Sequence, residues 1–141
     1  MDYQKRIAKL QVRLRRKNLD CLLVSQPENR RYLCGYQGSD HGIAETAGLL
    51  LVPAQGEVRL LTDFRYKIQA EREVPWAETI LYPKGLLNLL KGLLPKLRIR
   101  TLAFESHYTL HSMAAKMTVS LGKMGIETIA QTHLVEDFRR I

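Results

Sequence analysis

The sequence predicts an α/β protein: a three-layer α/β/α sandwich around a mixed, mostly parallel sheet containing one antiparallel hairpin. Two observations carry this prediction. Apolar runs of strand length alternate with amphipathic stretches of helical period along the whole chain. One pair of runs, Leu49 to Val52 and Val58 to Thr62, flanks Pro53-Ala54-Gln55-Gly56, a turn-rich junction of hairpin type. The 141 residues suit one domain, 1–141, with a sizeable core.

A first helix is expected over Asp2 to Asn18, where Tyr3, Ile7, Leu10 and Leu14 fall on one face. Asp20 to Ser25 reads as a strand buried on both sides. Glu28 to Leu33 forms a short helical turn after Pro27, and Gly35 to Gly42 a loop. Beyond the hairpin, Asp63 caps a helix running to about Glu73, with Phe64 and Ile68 facing inward and Pro75 ending it. Thr79 to Tyr82 is strand-like. Leu86, Leu90, Leu93 and Leu94 give the apolar face of a helix closed by Pro95. Thr101 to Phe104 is the next strand, with Glu105 at its carboxyl end. Leu110, Met113, Ala114, Met117 and Leu121 line another helix, the methionines as core filler. Ile126 to Ala130 is a last strand. Leu134 to Ile141 looks helical and stops abruptly, as in a chain cut where a larger protein continues.

A hydrophobic fraction of 45% and a charged fraction of 26% exclude disordered and low-complexity classes. The longest apolar run, Gly48 to Val52, is far short of the roughly 20 residues of a membrane span. The charged N-terminus lacks a secretory core, and Cys21 and Cys34 match no metal or redox spacing, so a reducing cytoplasm is the default. With 22 basic and 14 acidic residues the net charge is +8, which invites a nucleic-acid reading. Seven of those cations sit on the first helix, without the interleaved aromatic residues of a single-strand platform. They are read as a solvated amphipathic face.

Candidate chemistry is sparse. Gly35, Gly38 and Gly42 fail the spacing and context of a dinucleotide fingerprint, and no P-loop occurs. His107 and His111 are four apart, a zinc-compatible spacing. Tyr108 nevertheless stands where a metalloprotease motif carries its general base, and His107 precedes the helix, with Ser106 or Thr109 as cap. Asp63 and Glu105 each follow a strand, so two carboxylates at one sheet edge are a candidate Mg²⁺ site. The plainer reading makes Asp63 a helix cap and pairs Glu105 with Arg65 or another cation.

Four segments together resemble one family. Asn29-Arg30-Arg31-Tyr32-Leu33-Cys34-Gly35-Tyr36 is similar to the N-x-x-Y-L-x-G-[FY] segment of the creatinase/prolidase N-terminal domain. Leu61-Thr62-Asp63-Phe64-Arg65-Tyr66-Lys67-Ile68-Gln69-Ala70 resembles its L-x-D-x-R-Y-x-x-Q-A stretch. Leu102-Ala103-Phe104-Glu105 is similar to its later strand end, with Ala103 for the usual Gly. Leu134 to Ile141 resembles the start of the helix that joins this domain to a catalytic one.

The resemblance implies a ribonuclease H-like sheet motif and the non-catalytic N-terminal domain of an Xaa-Pro dipeptidase (prolidase) or aminopeptidase P-like metallopeptidase. The catalytic domain would lie downstream, holding two divalent metal ions (Mn, Co or Zn) through two Asp, one His and two Glu. This chain by itself is then expected to hold no metal and to hydrolyse nothing. The resemblance further implies a homodimer and a loop that narrows the partner's entrance for peptides with proline second. That loop maps onto Tyr36 to Ile43, with Tyr36, Ser39, Asp40 and His41 as the entrance residues. Asp40 would attract a free amino terminus and His41 would donate to a carbonyl or carboxylate. Asn29, Tyr32, Asp63, Arg65, Tyr66 and Glu105 match the family motifs in caps, turns and buried hydrogen bonds. Two other functions stay open: a stand-alone basic nucleic-acid- or peptide-binding module, and a small Mg²⁺ nuclease on Asp63 and Glu105.

Overall fold

The computed structural model describes residues 1–139; Arg140 and Ile141, the end of the segment expected to begin a joining helix, lie outside the described residues. Strands β1 (Cys21–Val24), β2 (Leu49–Pro53), β3 (Arg59–Thr62), β4 (Glu78–Leu81), β5 (Thr101–Glu105) and β6 (Glu127–Gln131) form one sheet in the order β4-β3-β2-β1-β5-β6. Three pairings are parallel and two, β1 with β2 and β2 with β3, are antiparallel. Hence β2 alone runs against the other five. The carboxyl ends of β1, β3, β4 and β5 therefore lie along one edge of the sheet, where ligands of open α/β folds bind.

Helices cover both faces. On one side pack α1 (Tyr3–Arg16), α2 (Pro27–Cys34), α3 (Lys67–Glu73) and α6 (Glu136–Arg139), around Leu10, Leu14, Leu33, Leu50, Leu60 and Leu134. On the other, α4 (Leu86–Lys96) and α5 (His111–Gly122) cover Leu23, Leu51, Leu61, Leu102 and Phe104. The three layers and the lone reversed strand agree with the sequence expectation. Residues of β1 and β2 are buried throughout because both sheet faces are covered.

The charge of α1 has a structural use. Arg6 donates to the Tyr32 carbonyl, Arg13 to the His133 and Leu134 carbonyls and Arg15 to the Ala54 carbonyl, while Arg13 also pairs with Asp137 at 2.9 Å. These guanidinium groups fasten the helix to three distant segments, with Asp2 capping its start through the Lys5 amide.

Three local expectations are corrected. Phe64 and Ile68 do not face inward; they are 78% and 77% exposed. The segment opens with a 3₁₀ turn, Phe64–Tyr66, before α3, and the inward stripe is Tyr66, Ala70 and Val74. Positions 64 and 68 fall on the opposite side of that stripe. Pro95 does not close α4, which continues to Lys96 and ends as Arg98 turns to φ +58°. Neither Ser106 nor Thr109 caps α5: their hydroxyls donate to the Gln131 and Glu105 carbonyls, and Leu110 holds the cap position without a side-chain bond.

Candidate functional site: the carboxyl edge of the sheet

Between β1 and β2 the chain makes α2 and then the loop 36–48, which lies over the carboxyl edge. Its organiser is Arg30, a fully buried residue of α2. One guanidinium nitrogen donates to the Gly48 carbonyl and the other to the Gly38 carbonyl at 2.9 Å, so both arms of the loop converge on one cation. Asp40 meets the same cation at 3.1 Å and accepts the Ala47 amide at 2.8 Å. The Tyr36 ring lies 5.0 Å from the guanidinium centre, and its hydroxyl donates to the Ala47 carbonyl at 3.0 Å. Burial pushes the Tyr36 phenol up to about 12, against the pull of Arg30 and the Thr62 hydrogen bond. Gly38 packs flat against that ring; a Cβ there would stand 2.4 Å from a ring carbon.

Two of the four expected entrance residues are therefore placed differently. Tyr36 is fully buried, and Asp40 is turned inward onto Arg30, with its side chain only 6% exposed, rather than outward toward an amino terminus. Ser39 and His41 are at the surface. The spacing of the segment contains no signal for Arg30, because the adjacent Arg31 is exposed and the two look alike in sequence.

Beside the loop a cavity of about 530 Å³ opens on the α4/α5 side, with Leu23, Leu49, Met113 and Met117 in its walls and Ser25, Asp63 and Tyr82 among its polar groups. Asp63 accepts the Arg65 amide at 2.9 Å and both ends of the Arg65 guanidinium, at 3.1 and 2.9 Å. The Arg65 hydrogen bond holds the Asp63 carboxyl below its usual range. Burial pushes the Tyr82 phenol up to about 12, with Asp63 and Asp40 adding to the shift, so it stays a proton donor at neutral pH.

Glu105 stands at the end of β5 and is 4% exposed. No lysine or arginine among the described residues pairs with it, contrary to the expected cation. Its Oε1 accepts the Ser25 and Gln26 amides at 2.6 and 2.8 Å, and its Oε2 accepts Asn29 Nδ2 at 2.6 Å. Two of these donors lie in the junction between β1 and α2 and the third on the first turn of α2, so Glu105 ties the entry of that helix to β5 from as far as 80 residues away. Burial raises its carboxyl above the usual range, opposed by the same hydrogen bonds. Asp63 and Glu105 do not make a common Mg²⁺ site. β3 and β5 are separated by β2 and β1, three strand spacings or about 14 Å.

The other motif residues are tied locally: Tyr32 donates to the Phe138 carbonyl at 3.1 Å and faces Arg6, and Tyr66 packs beneath its turn. His107 sits in a 3₁₀ turn (Ser106–Tyr108) and His111 begins α5, so they do not share a helix. The partner of His107 is Glu136, at 2.7 Å. Cys21 and Cys34 are buried free thiols, and burial pushes Cys34 up to about 11.

Residues 6–141 match the Creatinase/Prolidase N-terminal domain, and the chain belongs to that family. It is 29% identical to the N-terminal domain of the cytoplasmic peptidase PepQ from Mycobacterium tuberculosis H37Rv, with a TM-score of 0.82 over 96% of this chain and 98% of that one. An Xaa-Pro aminopeptidase from Streptococcus pyogenes is also 29% identical, with a TM-score of 0.81 and 97% of each chain covered. The uncharacterized peptidase YqhT of Bacillus subtilis (strain 168) is 26% identical over 123 residues, 87% of this chain and 32% of that protein. The chain thus spans about a third of the length of the curated relative it matches.

The metal pair expected from the sequence resemblance would need two Asp, one His and two Glu. Among the described residues the single group of three clustered donors is Glu105, His107 and Glu136, which contains no Asp. The residues present do not fit a dinuclear centre. Among the described residues no helix is long and apolar enough to cross a membrane.

Proposed function

We propose that this chain is the non-catalytic N-terminal domain of a cytoplasmic Xaa-Pro dipeptidase or aminopeptidase. In that protein it would contribute to a homodimer and to the substrate entrance of a downstream metal-dependent catalytic domain that cleaves before proline. The observation that carries the reading is the family match over 6–141, supported by relatives named as peptidases at 29% identity. Within it, Arg30, Asp40 and Tyr36 position the loop from inside, and the exposed Ser39 and His41 are the groups that face a short peptide. His41 suits the task because an imidazole donates to a peptide carbonyl or carboxylate near neutral pH.

The test is an assay of Xaa-Pro dipeptides with Mn²⁺, comparing this chain with a whole peptidase that carries it. The chain alone should give no turnover, and the whole protein should. Hydrolysis by the chain alone overturns the division of labour. In the whole protein, His41→Ala should raise KM several-fold with kcat nearly unchanged; an unaltered KM removes His41 from the entrance.

A further inference from the structure

The carboxyl end of β5 carries a second polar cluster, away from the loop and not explained by it. Glu105, the last residue of β5, His107 in the turn that follows and Glu136 at the start of α6 bring one ligand atom each to within 4.8 Å of one another. We propose that these three side chains form a site for a single divalent ion of the zinc class, which fastens α6 to the end of β5.

Charge is the first reason. Two carboxylates take part in this cluster, and its one cationic candidate is an imidazole, His107, whose Nε2 meets Glu136 Oε2 at 2.7 Å. Among the described residues neither carboxylate has a lysine or arginine in ion-pair contact. Like charges at this range repel. A bound dication relieves that repulsion.

Preorganisation is the second. Glu105 is fixed by the Ser25 and Gln26 amides on Oε1 and by Asn29 on Oε2, leaving Oε2 with lone-pair capacity. Supporting donors of this kind orient metal-ligating carboxylates.

The third reason is independent of the cluster's own charges. Asn29 is wholly buried, and its Oδ1 has no hydrogen-bond partner. That oxygen shares an amide carbon with the Nδ2 that touches Glu105 Oε2 at 2.6 Å, so it stands beside the same carboxylate. A buried acceptor without a donor calls for a missing group, and an ion with its bound water supplies one.

One imidazole nitrogen with two carboxylate oxygens selects Zn²⁺ or a neighbouring first-row dication over Ca²⁺ or Mg²⁺, with a fourth position left for water. His107 and Glu136 are 32% and 17% exposed, which leaves a path for the ion. Metal–ligand bonds of about 2.0–2.2 Å draw donors to within about 3.5 Å of one another, so the two exposed side chains must close in slightly.

The test uses this chain, freed of metal with a chelator and titrated with ZnCl₂ or MnCl₂ alone by calorimetry. One ion per chain should bind and raise Tm. His107→Ala and Glu136→Gln should each weaken binding 10- to 100-fold, the range for lost metal-site contacts. His111→Ala and His133→Ala should leave it unchanged. X-ray absorption of the loaded chain should show one imidazole among oxygen ligands. Absence of binding at millimolar ion overturns the site, as does affinity unaltered in both His107→Ala and Glu136→Gln. Both positions are partly exposed, and if one variant fails to fold, the other decides.

Discussion

Two buried carboxylates stand near the same edge of the sheet, and the molecule treats them in opposite ways. Asp40 is balanced by a full charge, Arg30, which also gathers the carbonyls of Gly38 and Gly48. Glu105 is held by neutral donors, the Ser25 and Gln26 amides and the Asn29 amide. The first arrangement fixes a loop that has little secondary structure of its own. The second fixes the start of a helix and leaves residual negative charge beside Glu136. Ion pairing shapes the loop, whereas neutral hydrogen bonds to the β1–α2 junction shape the scaffold beneath it.

Breaking the Asp40 side should have the largest effect. Arg30→Met leaves a buried carboxylate unpaired and should cost about 3–5 kcal/mol in urea unfolding. The double variant Arg30→Met with Asp40→Asn should recover part of that loss. Equal losses in the single and double variants would mean that Arg30 acts by filling space.

Glu105→Gln keeps an acceptor for the helix start but weakens charge-assisted bonds, an expected loss of about 1–3 kcal/mol. It should also change the pH dependence of stability. The folded carboxyl binds its proton more tightly than the unfolded one, so its contribution is full below the ordinary glutamate value of 4.5. That contribution is lost as pH rises through the higher folded value. The Gln variant should lack this fall in acid-range unfolding curves, and an unchanged profile would assign it to another group.

Asp63 sharpens the contrast at the surface, where the ion pair is open to water. Its lowered carboxyl contributes stability above the ordinary aspartate value of 3.8, lost as pH falls through the folded value. Asp63→Asn should remove that acid-side loss, with a change at neutral pH of at most about 1 kcal/mol from the weakened cap. Smallest of all, Phe64→Ser and Ile68→Ser should leave the stability of the chain within about 0.5 kcal/mol, as expected of exposed positions. A larger loss would show that they pack inward in solution.

The contrast also explains what the sequence revealed. All six strands, the reversed hairpin and the two helical layers follow from local period and turn residues, which need only neighbours in sequence. Phe64 and Ile68 misled because their spacing of four has helical period, while the chain begins with a 3₁₀ turn that rotates the inward stripe to Tyr66, Ala70 and Val74. Asp40 and Tyr36 sit in a glycine-rich polar stretch whose composition reads as exposed, and one distant guanidinium buries them. Glu105 meets Ser25 from 80 positions away, and Glu136 meets His107 across the end of the sheet. Pairings of that span leave no periodic trace.

The reversed direction of β2 has one more consequence. Antiparallel neighbours such as β1 and β2 can be joined by a two-residue turn. Here residues 25–48 make the connection, and the chain leaves and rejoins the sheet at the same rim. The excursion is part of the core rather than an appendage: Leu33, Cys34, Tyr36 and Ala47 within it pack in the same buried cluster as Leu22 and Val52. A change of length there would disturb the packing over the strands as well as the rim.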